Sequence, residues 1–302
     1  MTGSPEIARE VIRLRLAQMI INERYKNGQF KIPIHLAMGH EAIAVAVSRA
    51  MTTDDQLVLP HRNVHYNLAR ARRLRPILDE FMLNDSGIAG ARLGSMNLAN
   101  PASGVRYSSS ILGNALPVAA GIGLALRVKE SPGVVIVVTG DGAIEEGAFT
   151  ESLTFMRTYD VSALVVVENN GWSMSTTIAQ RRCEMSLDHL GAAFDIPYRR
   201  IQGNDVYEYV RVLQEMRSDV ARDRRPAIVE VELNTLGDWR ADPDGRYINY
   251  HAGPAPTVEM RPWPVLRDNC EDPLYALLDH ADLASLQGIA LEQLELLQAE
   301  VA

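Results

Sequence analysis

The sequence has few cysteines, and the two that it contains, Cys183 and Cys270, stand far apart in the chain. Their separation matches no metal-ligand spacing, so both are expected to be ordinary residues of a reducing compartment. Long apolar runs are also missing, since none approaches the roughly 20 residues that a helix needs to cross a bilayer. We therefore expect a cytoplasmic protein that does not enter the membrane.

A surplus of positive charge is absent as well, because 38 acidic residues outnumber 30 basic ones and give a net charge of −8. This balance gives no support to nucleic-acid binding. The arginine-rich stretch Arg70, Arg72, Arg73, Arg75 is interpreted as a solvated helix face. With 302 residues, of which 47% are hydrophobic and 23% charged, the composition is typical of a globular protein with a full core.

The chain opens with a helical pattern. Residues 4–6 supply a capping serine, a proline for the first helical position and an acid, and the apolar face that follows ends at the Asn-Gly of 27–28. Because the acidic first segment passes straight into this helix, a cleaved targeting peptide is not expected. A second helix is predicted from residue 40 to about 49.

The middle and the end of the chain differ in pattern. Residues 84–116 are rich in Gly, Ser, Asn and Pro and show little periodicity, which is typical of a functional loop. The tail from residue 272 is helical in pattern and is interpreted as a packing or partner-facing appendage. We therefore expect one domain over residues 1–302, with an N-terminal helical segment and a helical C-terminal tail.

Strand and helix patterns alternate from residue 117 onward. The predicted strands are 134–139, 163–167 and 227–233, and the predicted helices are 117–129, 150–159 and a long one from about 205. The first strand is a continuous β-branched run, which indicates burial on both faces. Such alternation implies βαβ units with right-handed crossovers. The expected fold class is α/β, with a mostly parallel sheet and helices on both faces.

Polar residues follow two of these strands where each one ends. Gly140-Asp141-Gly142 ends the first strand and Glu168-Asn169-Asn170 ends the second. Parallel sheets bind ligands beyond the carboxyl ends of their strands. A carboxylate and an amide oxygen delivered there can share one Mg²⁺. Asp141, the Asn170 side chain and a backbone carbonyl just beyond it would leave room for two diphosphate oxygens and a water.

The glycines of the first motif suit the same interpretation. Gly140 and Gly142 let the backbone turn tightly and approach a diphosphate, and the helix start that follows offers N–H groups. Taken singly, Gly-Asp-Gly is a common turn and Asn-Asn-Gly a common strand exit. Their combination, separated by residues 143–168 in strand–helix–strand order, favours a metal and diphosphate site.

At these motifs the sequence resembles the thiamine diphosphate enzymes of the transketolase-like superfamily. It further resembles, over nearly the whole chain, the alpha subunits of the decarboxylating component of 2-oxo acid dehydrogenase complexes of the pyruvate, branched-chain and acetoin types. The segments that follow the order of that family are Ile34-His35-Leu36, Gly39-His40-Glu41-Ala42, His61-Arg62, Leu68-Ala69-Arg70, residues 90–96, Ile111-Leu112-Gly113, Gly203-Asn204-Asp205-Val206, Asp242-Pro243 and Asp272-Pro273. The resemblance implies a thiamine diphosphate-binding fold.

The resemblance also implies roles for individual residues. Mg²⁺ would be held by Asp141, Asn170 and the carbonyl of Trp172. The cofactor as a whole would contact Arg62, Ser110, Leu112, Gly140, Asp141, Gly142, Ala143, Asn170 and Trp172, with Arg62, Gly142 and Ala143 at the diphosphate and Ser110 and Leu112 beside the aminopyrimidine. A guanidinium suits forked phosphate contacts. From the residues alone, Arg62 could equally be a surface arginine and Leu112 plain core.

The sequence departs from the family at three histidines. The position after the Arg62 region holds Val64, with His65 one place further on, and the position after Gly-Ser-Met holds Asn97. The family's Gly-His-Ser reads Gly-Asp-Trp at 237–239. Asp238 could replace that histidine as a proton donor only if its pKa were strongly raised.

Candidate catalytic residues are therefore His61, His65 and Asp238, with His35 as a further acid–base group. For any single histidine, an ordinary core or surface residue is the safer interpretation. These departures leave the predicted cofactor site complete and affect the expected substrate and the second half of the reaction.

The resemblance implies a partner subunit. Thiamine diphosphate adds to a carbonyl and stores the carbanion left by C–C cleavage, and it needs a carboxylate near its pyrimidine. In the resembled enzymes that glutamate comes from a beta subunit, and 302 residues leave no room for a second cofactor-binding half. We expect an α2β2 assembly with a beta-type subunit.

Three functions stay open at this point. The first is decarboxylation of a 2-oxo acid with acyl transfer to a lipoyl-bearing acyltransferase. The second is a split transketolase or an acyloin-forming ligase, which the altered histidines favour. The third is a non-catalytic cofactor-binding scaffold, which the presence of Asp141, Asn170 and Arg62 opposes.

Overall fold

The computed structural model of the chain describes residues 4–237, 240–241, 247–248 and 251–302. The α-helices are α1 (Pro5–Lys26), α2 (Glu41–Ala50), α3 (Val64–Ala71), α4 (Arg75–Phe81), α5 (Ala115–Val128), α6 (Gly147–Thr158), α7 (Ile178–Arg181), α8 (Leu187–Ala193), α9 (Val206–Asp223), α10 (Pro273–Ala276) and α11 (Leu283–Val301). Short 3-10 helices cover Pro101–Ser103, Ala143–Glu145 and Leu277–Asp279.

The strands form one large sheet and two small hairpin sheets. They are β1 (Gln56–Leu59), β2 (Val105–Ser108), β3 (Val135–Gly140), β4 (Ala163–Asn169), β5 (Trp172–Ser173), β6 (Thr176–Thr177), β7 (Tyr198–Ile201), β8 (Ala227–Glu232), β9 (Arg240–Ala241) and β10 (Tyr247–Ile248). The large sheet has the order β2-β1-β3-β4-β8-β7, and all of its strand pairs are parallel. The expected α/β class with a parallel sheet is confirmed.

The central strands are buried on both faces, as their β-branched runs predict. In β3, Ile136 and Val138 pack into the core on the face of α1, α2 and α9, whereas Val135 and Val137 pack on the face of α5 and α6. Successive side chains of a strand point to opposite faces, so a run without polar residues needs cover on both. The helices on both sides supply that cover.

A buried ion cluster joins the two ends of the chain. Arg15 of α1 donates two hydrogen bonds to Glu41 and two to Asp272, and all three side chains are inaccessible to solvent. Asp272 also accepts from the backbone N–H of Leu274 as the N-cap of α10. The C-terminal helix α11 packs against α1. Among the described residues, no helix is long and apolar enough to cross a membrane.

Two sequence-based predictions need correction. The segment 84–116 is not without structure, because it contains β2, the edge strand of the sheet. The arginine-rich stretch is not one helix face, because α3 ends at Ala71 and α4 begins at Arg75. Arg72 adopts a left-handed conformation (φ 57°) between them, so the four arginines point to different surroundings.

Candidate active site

A cavity of about 300 Å³ lies at the carboxyl ends of β3 and β4. Parallel register pairs Gly140 with Glu168, so the residues that follow the two strands emerge side by side. The sequence-predicted residues that line this cavity are His35, His61, Arg62, Ser110, Leu112, Gly140, Asp141, Gly142, Ala143, Asn170 and Trp172. Residues separated by more than 100 positions in the chain are thus brought to one place.

The Asp141 carboxylate is almost fully buried, at 2% exposure. Its Oδ2 lies 2.7 Å from Nη2 of Arg181, which follows the β5–β6 hairpin. Burial raises the pKa of Asp141 above its ordinary value, and the Arg181 guanidinium opposes part of that rise. Arg181 also donates to Glu145 at 3.0 Å. The carboxylate expected at a metal therefore faces a protein cation.

The Asn170 side chain is fixed by a tight turn. Its Nδ2 donates to Thr235 Oγ1 at 2.9 Å, and its Oδ1 accepts from the backbone N–H of Trp172 at 3.0 Å. Gly171 allows this turn because its φ of +75° lies in the left-handed region. An amide oxygen has two lone pairs, so Oδ1 keeps one for a further partner.

Gly142 is required by close packing. A Cβ added there would lie 2.5 Å from Oγ of Ser173 and 2.6 Å from its Cβ. The 3-10 helix Ala143–Glu145 begins directly after it. The hairpin that carries Trp172 and Ser173 therefore approaches the Gly-Asp-Gly turn more closely than any side chain at position 142 would permit.

Arg62 is a buried member of the cavity wall rather than a surface arginine, with 8% of its area exposed. It donates to the carbonyl of Leu36 and, at 3.4 Å, to that of His251. These contacts hold the guanidinium, a forked group with five N–H donors, in the wall of the cavity.

Three histidines converge beside Arg62. The ring centroids of His35 and His251 are 4.7 Å apart, those of His35 and His61 are 4.8 Å apart, and those of His61 and His251 are 5.3 Å apart. Burial and the Arg62 charge lower the pKa of His35 to about 2 and those of His61 and His251 to about 4. All three rings are therefore neutral at pH 7. Nδ1 of His35 is buried without a hydrogen-bond partner among the described residues.

A second polar cluster surrounds Glu168 at the floor of the cavity. Its Oε1 accepts from the Tyr66 hydroxyl at 2.8 Å and lies 3.3 Å from Nε2 of His65, while Oε2 lies 3.2 Å from Nδ1 of His40. Burial alone would raise the pKa of Glu168, but its histidine neighbours outweigh burial and lower it. Burial lowers the pKa of His65, so this ring acts as a neutral donor to an ionised carboxylate.

His65 is thus placed differently from His61. It is fully buried and does not line the cavity, so its contact with the cavity runs through Glu168. Asp238, the third candidate for acid–base catalysis, lies outside the described residues, as does the Asp-Pro of 242–243.

The mouth of the cavity is apolar. Ile111 is 68% exposed, Leu112 48% and Met174 64%, and all three line the opening. Leu112 is therefore not plain core. Ser110 stands next to them and donates its backbone N–H to Asn97 at 3.0 Å.

Sequence reasoning missed His251 and the cluster around Glu168. His251 belongs to no motif, and a packed segment brings it to the cavity. That segment is held by Asn22 of α1, which bonds the backbone of Ala255 at 2.7 and 3.0 Å, and by Gly253, which donates to Ile34 at 3.2 Å. Glu168 could have been singled out, because a charged residue at the end of a buried strand needs a partner.

The chain is similar in sequence to a known protein family. A sequence model of the dehydrogenase E1 component family matches residues 9–238, which is more than half of the chain. The alpha subunit of acetoin:2,6-dichlorophenolindophenol oxidoreductase from Bacillus subtilis is 24% identical over 77% of this chain and 70% of that protein.

The mitochondrial pyruvate dehydrogenase E1 alpha subunit of Schizosaccharomyces pombe is 25% identical over 79% of this chain and 58% of its own length. For the corresponding subunit of Rhizobium meliloti the identity is 24%, over 74% of this chain and 64% of that one. The chain thus spans less than two thirds of both pyruvate dehydrogenase subunits.

Solved structures of transketolases share the fold. The enzyme from Campylobacter jejuni superposes on the whole of this chain and 48% of its own, with a TM-score of 0.61 at 16% identity. That from Leishmania mexicana covers the whole chain and 46% of its own, with a TM-score of 0.59 at 15% identity. At these identities the likeness concerns the architecture.

Proposed function

Because this chain belongs to the dehydrogenase E1 component family, we propose that it is the alpha-type subunit of a two-subunit enzyme that decarboxylates a 2-oxo acid and transfers the acyl group. One observation carries the proposal: Asp141, Asn170 and Arg62 converge on a single cavity at the carboxyl edge of the parallel sheet. A carboxylate, an amide oxygen and a guanidinium are the groups that a metal diphosphate needs.

The residues present fit thiamine diphosphate with Mg²⁺. Asp141, Oδ1 of Asn170 and the carbonyl of Trp172 form an all-oxygen donor set of the kind that Mg²⁺ prefers. Arg62, Gly142 and Ala143 would hold the diphosphate, Gly140 keeps the turn narrow, and Ser110 and Leu112 would lie beside the pyrimidine. When bound, the cofactor supplies the nucleophile and the electron sink for C–C cleavage.

The protein's own part is to orient the substrate and handle protons. His61 and His251 line the cavity as neutral imidazoles, so each can accept or donate a hydrogen bond there. The family histidine is replaced by Asp238 in this sequence, and we propose that His251 takes over its role. The reason is that the His251 ring, which comes from the later part of the chain, lies in the cavity beside Arg62, His35 and His61. His65 orients Glu168 beneath the cavity floor.

A partner subunit follows from what the cavity holds. Its carboxylates among the described residues are Asp141 and Glu168, and both are already engaged, by Arg181 and by the His–Tyr cluster. Neither is available to the pyrimidine. The exposed apolar rim of Ile111, Leu112 and Met174 is suited to burial against another chain. We propose a beta-type subunit in an α2β2 assembly, with a lipoyl-bearing acyltransferase as the acyl acceptor.

The test starts from the complex of this chain with a beta-type subunit. Thiamine diphosphate is titrated calorimetrically with and without Mg²⁺, for the wild type, Asp141→Ala and the control Asp195→Ala, which removes a surface carboxylate. Mg²⁺-dependent binding that only Asp141→Ala abolishes is the expected result. A folded complex that binds no cofactor would refute the proposal and leave a non-catalytic scaffold.

A second assay separates the two catalytic functions. Formation of acyl-dihydrolipoamide from a 2-oxo acid and oxidised lipoamide, with the disulfide taking up the acyl group and the two electrons, supports acyl transfer. Ketol transfer to an aldehyde, without activity on 2-oxo acids, would instead assign the chain to a split transketolase or acyloin-forming ligase. This second function is tested because the chain lacks the family histidines at three positions.

A further inference from the structure

A second cavity, of about 150 Å³, lies between α1, α3 and α11. It shares no lining residue with the candidate active site. Its inner wall is apolar and includes the buried side chains of Leu14, Leu68, Leu74 and Leu297. The apolar wall favours a ligand that brings a hydrocarbon group.

The outer wall of this cavity is cationic. It is formed by Arg9, Arg13, Arg72 and Arg73. Arg13 pairs with Glu300 at 2.8 Å, but the other three are weakly neutralised. Arg9 reaches Glu292 only at 3.8 Å and Arg73 reaches Glu300 only at 3.9 Å.

Arg72 forms no ion pair with any carboxylate that the structure describes. Arg72 lies in the connection between α3 and α4. Arg72 and Arg73, two of the four arginines of the Arg-rich stretch, therefore line this cavity and do not form part of a solvated helix surface.

Of the carboxylates near the cavity, Glu10 is paired outside the arginine rim and Glu300 is paired within it. Glu10 is held by Arg49 through two hydrogen bonds of 2.8 and 3.1 Å. Glu300 accepts from Arg13 and from the backbone N–H groups of Leu74 and Arg75, at 2.7 and 3.0 Å. Among the described residues, the four rim arginines therefore have two carboxylates, Glu292 and Glu300, as ion-pair partners, and the rim carries an excess of positive charge.

One polar group at the cavity lacks a partner among the described residues. Nε of Arg9 is buried, and its N–H donates no hydrogen bond to any of them. Buried polar groups are normally paired, so this N–H indicates a missing acceptor. Gln293 of α11 also lines the cavity and is 3% exposed.

We propose that this cavity is a binding site for a small organic anion, in which a carboxylate contacts the arginine rim and an apolar group of about six non-hydrogen atoms packs on the leucine wall. The size follows from the volume, since an apolar cavity of about 150 Å³ admits a molecule such as benzene. The charge follows from the arginines, whose forked donors match a carboxylate. Gln293 can donate to the same group.

The experiment uses the complex with its beta-type subunit, saturated with thiamine diphosphate and Mg²⁺, and 4-methylpentanoate as the probe. Binding is followed by saturation-transfer NMR and calorimetry, with acetate and 4-methylpentan-1-ol as the matched probes that lack the apolar group or the charge. Both should bind at least tenfold more weakly than 4-methylpentanoate. Equal binding of the alcohol would overturn the proposal without any variant.

Variants then locate the site. Arg9→Gln combined with Arg72→Gln should weaken 4-methylpentanoate binding about tenfold, whereas Arg211→Gln, which removes an exposed arginine on α9, should not. Ala17→Met fills the cavity and should abolish binding of 4-methylpentanoate. This variant replaces the double variant as the test if the double variant fails to fold. Asp141→Ala should leave it unchanged, which separates this site from the cofactor site. Binding that survives cavity filling, or that is lost with Asp141, would overturn the proposal.

Discussion

Arg181 and Asp141 form an ion pair of 2.7 Å at the point where the sequence predicts a metal. The guanidinium is held in place by Glu145 at 3.0 Å and by the carbonyl of Thr176 at 2.7 Å. Mg²⁺ at the same carboxylate must compete with this cation or leave it on the second oxygen. In the proposed site, the affinity for Mg²⁺ would therefore depend on a residue outside the motif.

The Arg181→Gln variant should bind Mg²⁺ more tightly. An exposed ion pair contributes up to about 1 kcal/mol, or roughly fivefold in affinity. This pair is largely buried, with 11% of the Arg181 side chain and 3% of the Asp141 side chain exposed, so removal of the competing cation should raise the Mg²⁺ affinity by at least that factor. The measurement is a Mg²⁺ titration at fixed thiamine diphosphate. Arg182→Gln, which contacts Glu145 but not Asp141, serves as the control. Weaker Mg²⁺ binding in Arg181→Gln would show instead that Arg181 contacts the diphosphate.

The free energy of unfolding should decrease as the pH falls, because His35, His61 and His251 are held neutral in the folded protein. The pKa values of His61 and His251 are about 4 and that of His35 is about 2, below the ordinary 6.5 of the unfolded chain. The unfolded state therefore binds more protons below pH 6.5, and stability present above that pH is lost as the pH falls toward 4. Each histidine contributes a slope of up to about 1.4 kcal/mol per pH unit.

The check is urea unfolding at pH 7, 6 and 5. His251→Gln should reduce the slope of stability against pH by one histidine's share, whereas His189→Gln, at an exposed position on α8, should not. Parallel pH curves for the wild type and His251→Gln would contradict the burial of a neutral His251.

Replacement of Glu168 should destabilise the fold as well as the site. Glu168→Ala leaves the Tyr66 hydroxyl and the His65 ring without their buried acceptor. A buried donor left unpaired costs about 1–3 kcal/mol, so unfolding by urea should show a loss in or above that range. Tyr66→Phe removes one donor and keeps the carboxylate, and it should cost less. An equal cost for the two variants would contradict a central role of the carboxylate.

Asn22 should control the order of the segment that carries His251. Its amide makes hydrogen bonds to the backbone of Ala255 and Val258, between 2.7 and 3.2 Å, and is fully buried. Asn22→Ala should cost about 1–3 kcal/mol and raise amide hydrogen exchange over residues 253–258. Asn27→Ala, just beyond the end of α1, is the matched control. Unchanged exchange over that segment would mean that other contacts hold it.

Much of the fold could be predicted because its central strands carry an unambiguous pattern. The predicted strands at 134–139 and 163–167 correspond to β3 and β4, and the helix expected to stop at 27–28 ends at Lys26. The strands β1 and β7 were missed, since each has four residues and a short run cannot be told from a loop by periodicity. β7 in addition lies at the sheet edge and carries two exposed arginines.

The site divides along similar lines. Asp141 and Asn170 follow strands whose pairing the sequence predicts, so their meeting could be inferred. His251 could not, because its position depends on the contact between Asn22 and a segment more than 200 residues away. The ion pair of Arg181 with Asp141 was missed for a related reason, since it depends on how the β5–β6 hairpin folds back over the first motif.

Because Gly140 pairs with Glu168 in parallel register, the number of residues between the two motifs does not determine where Asp141 and Asn170 lie relative to each other. What aligns Asp141 with Asn170 is the hydrogen-bond ladder of β3 and β4, and the segment between them, with α6, only has to cross from one strand to the next. Extra residues placed in the exposed turn at Tyr159-Asp160 would lengthen the connection while Asp141 and Asn170 kept their positions. The register of the two strands therefore fixes the site, and a chain with a different number of residues between the motifs could carry the same arrangement.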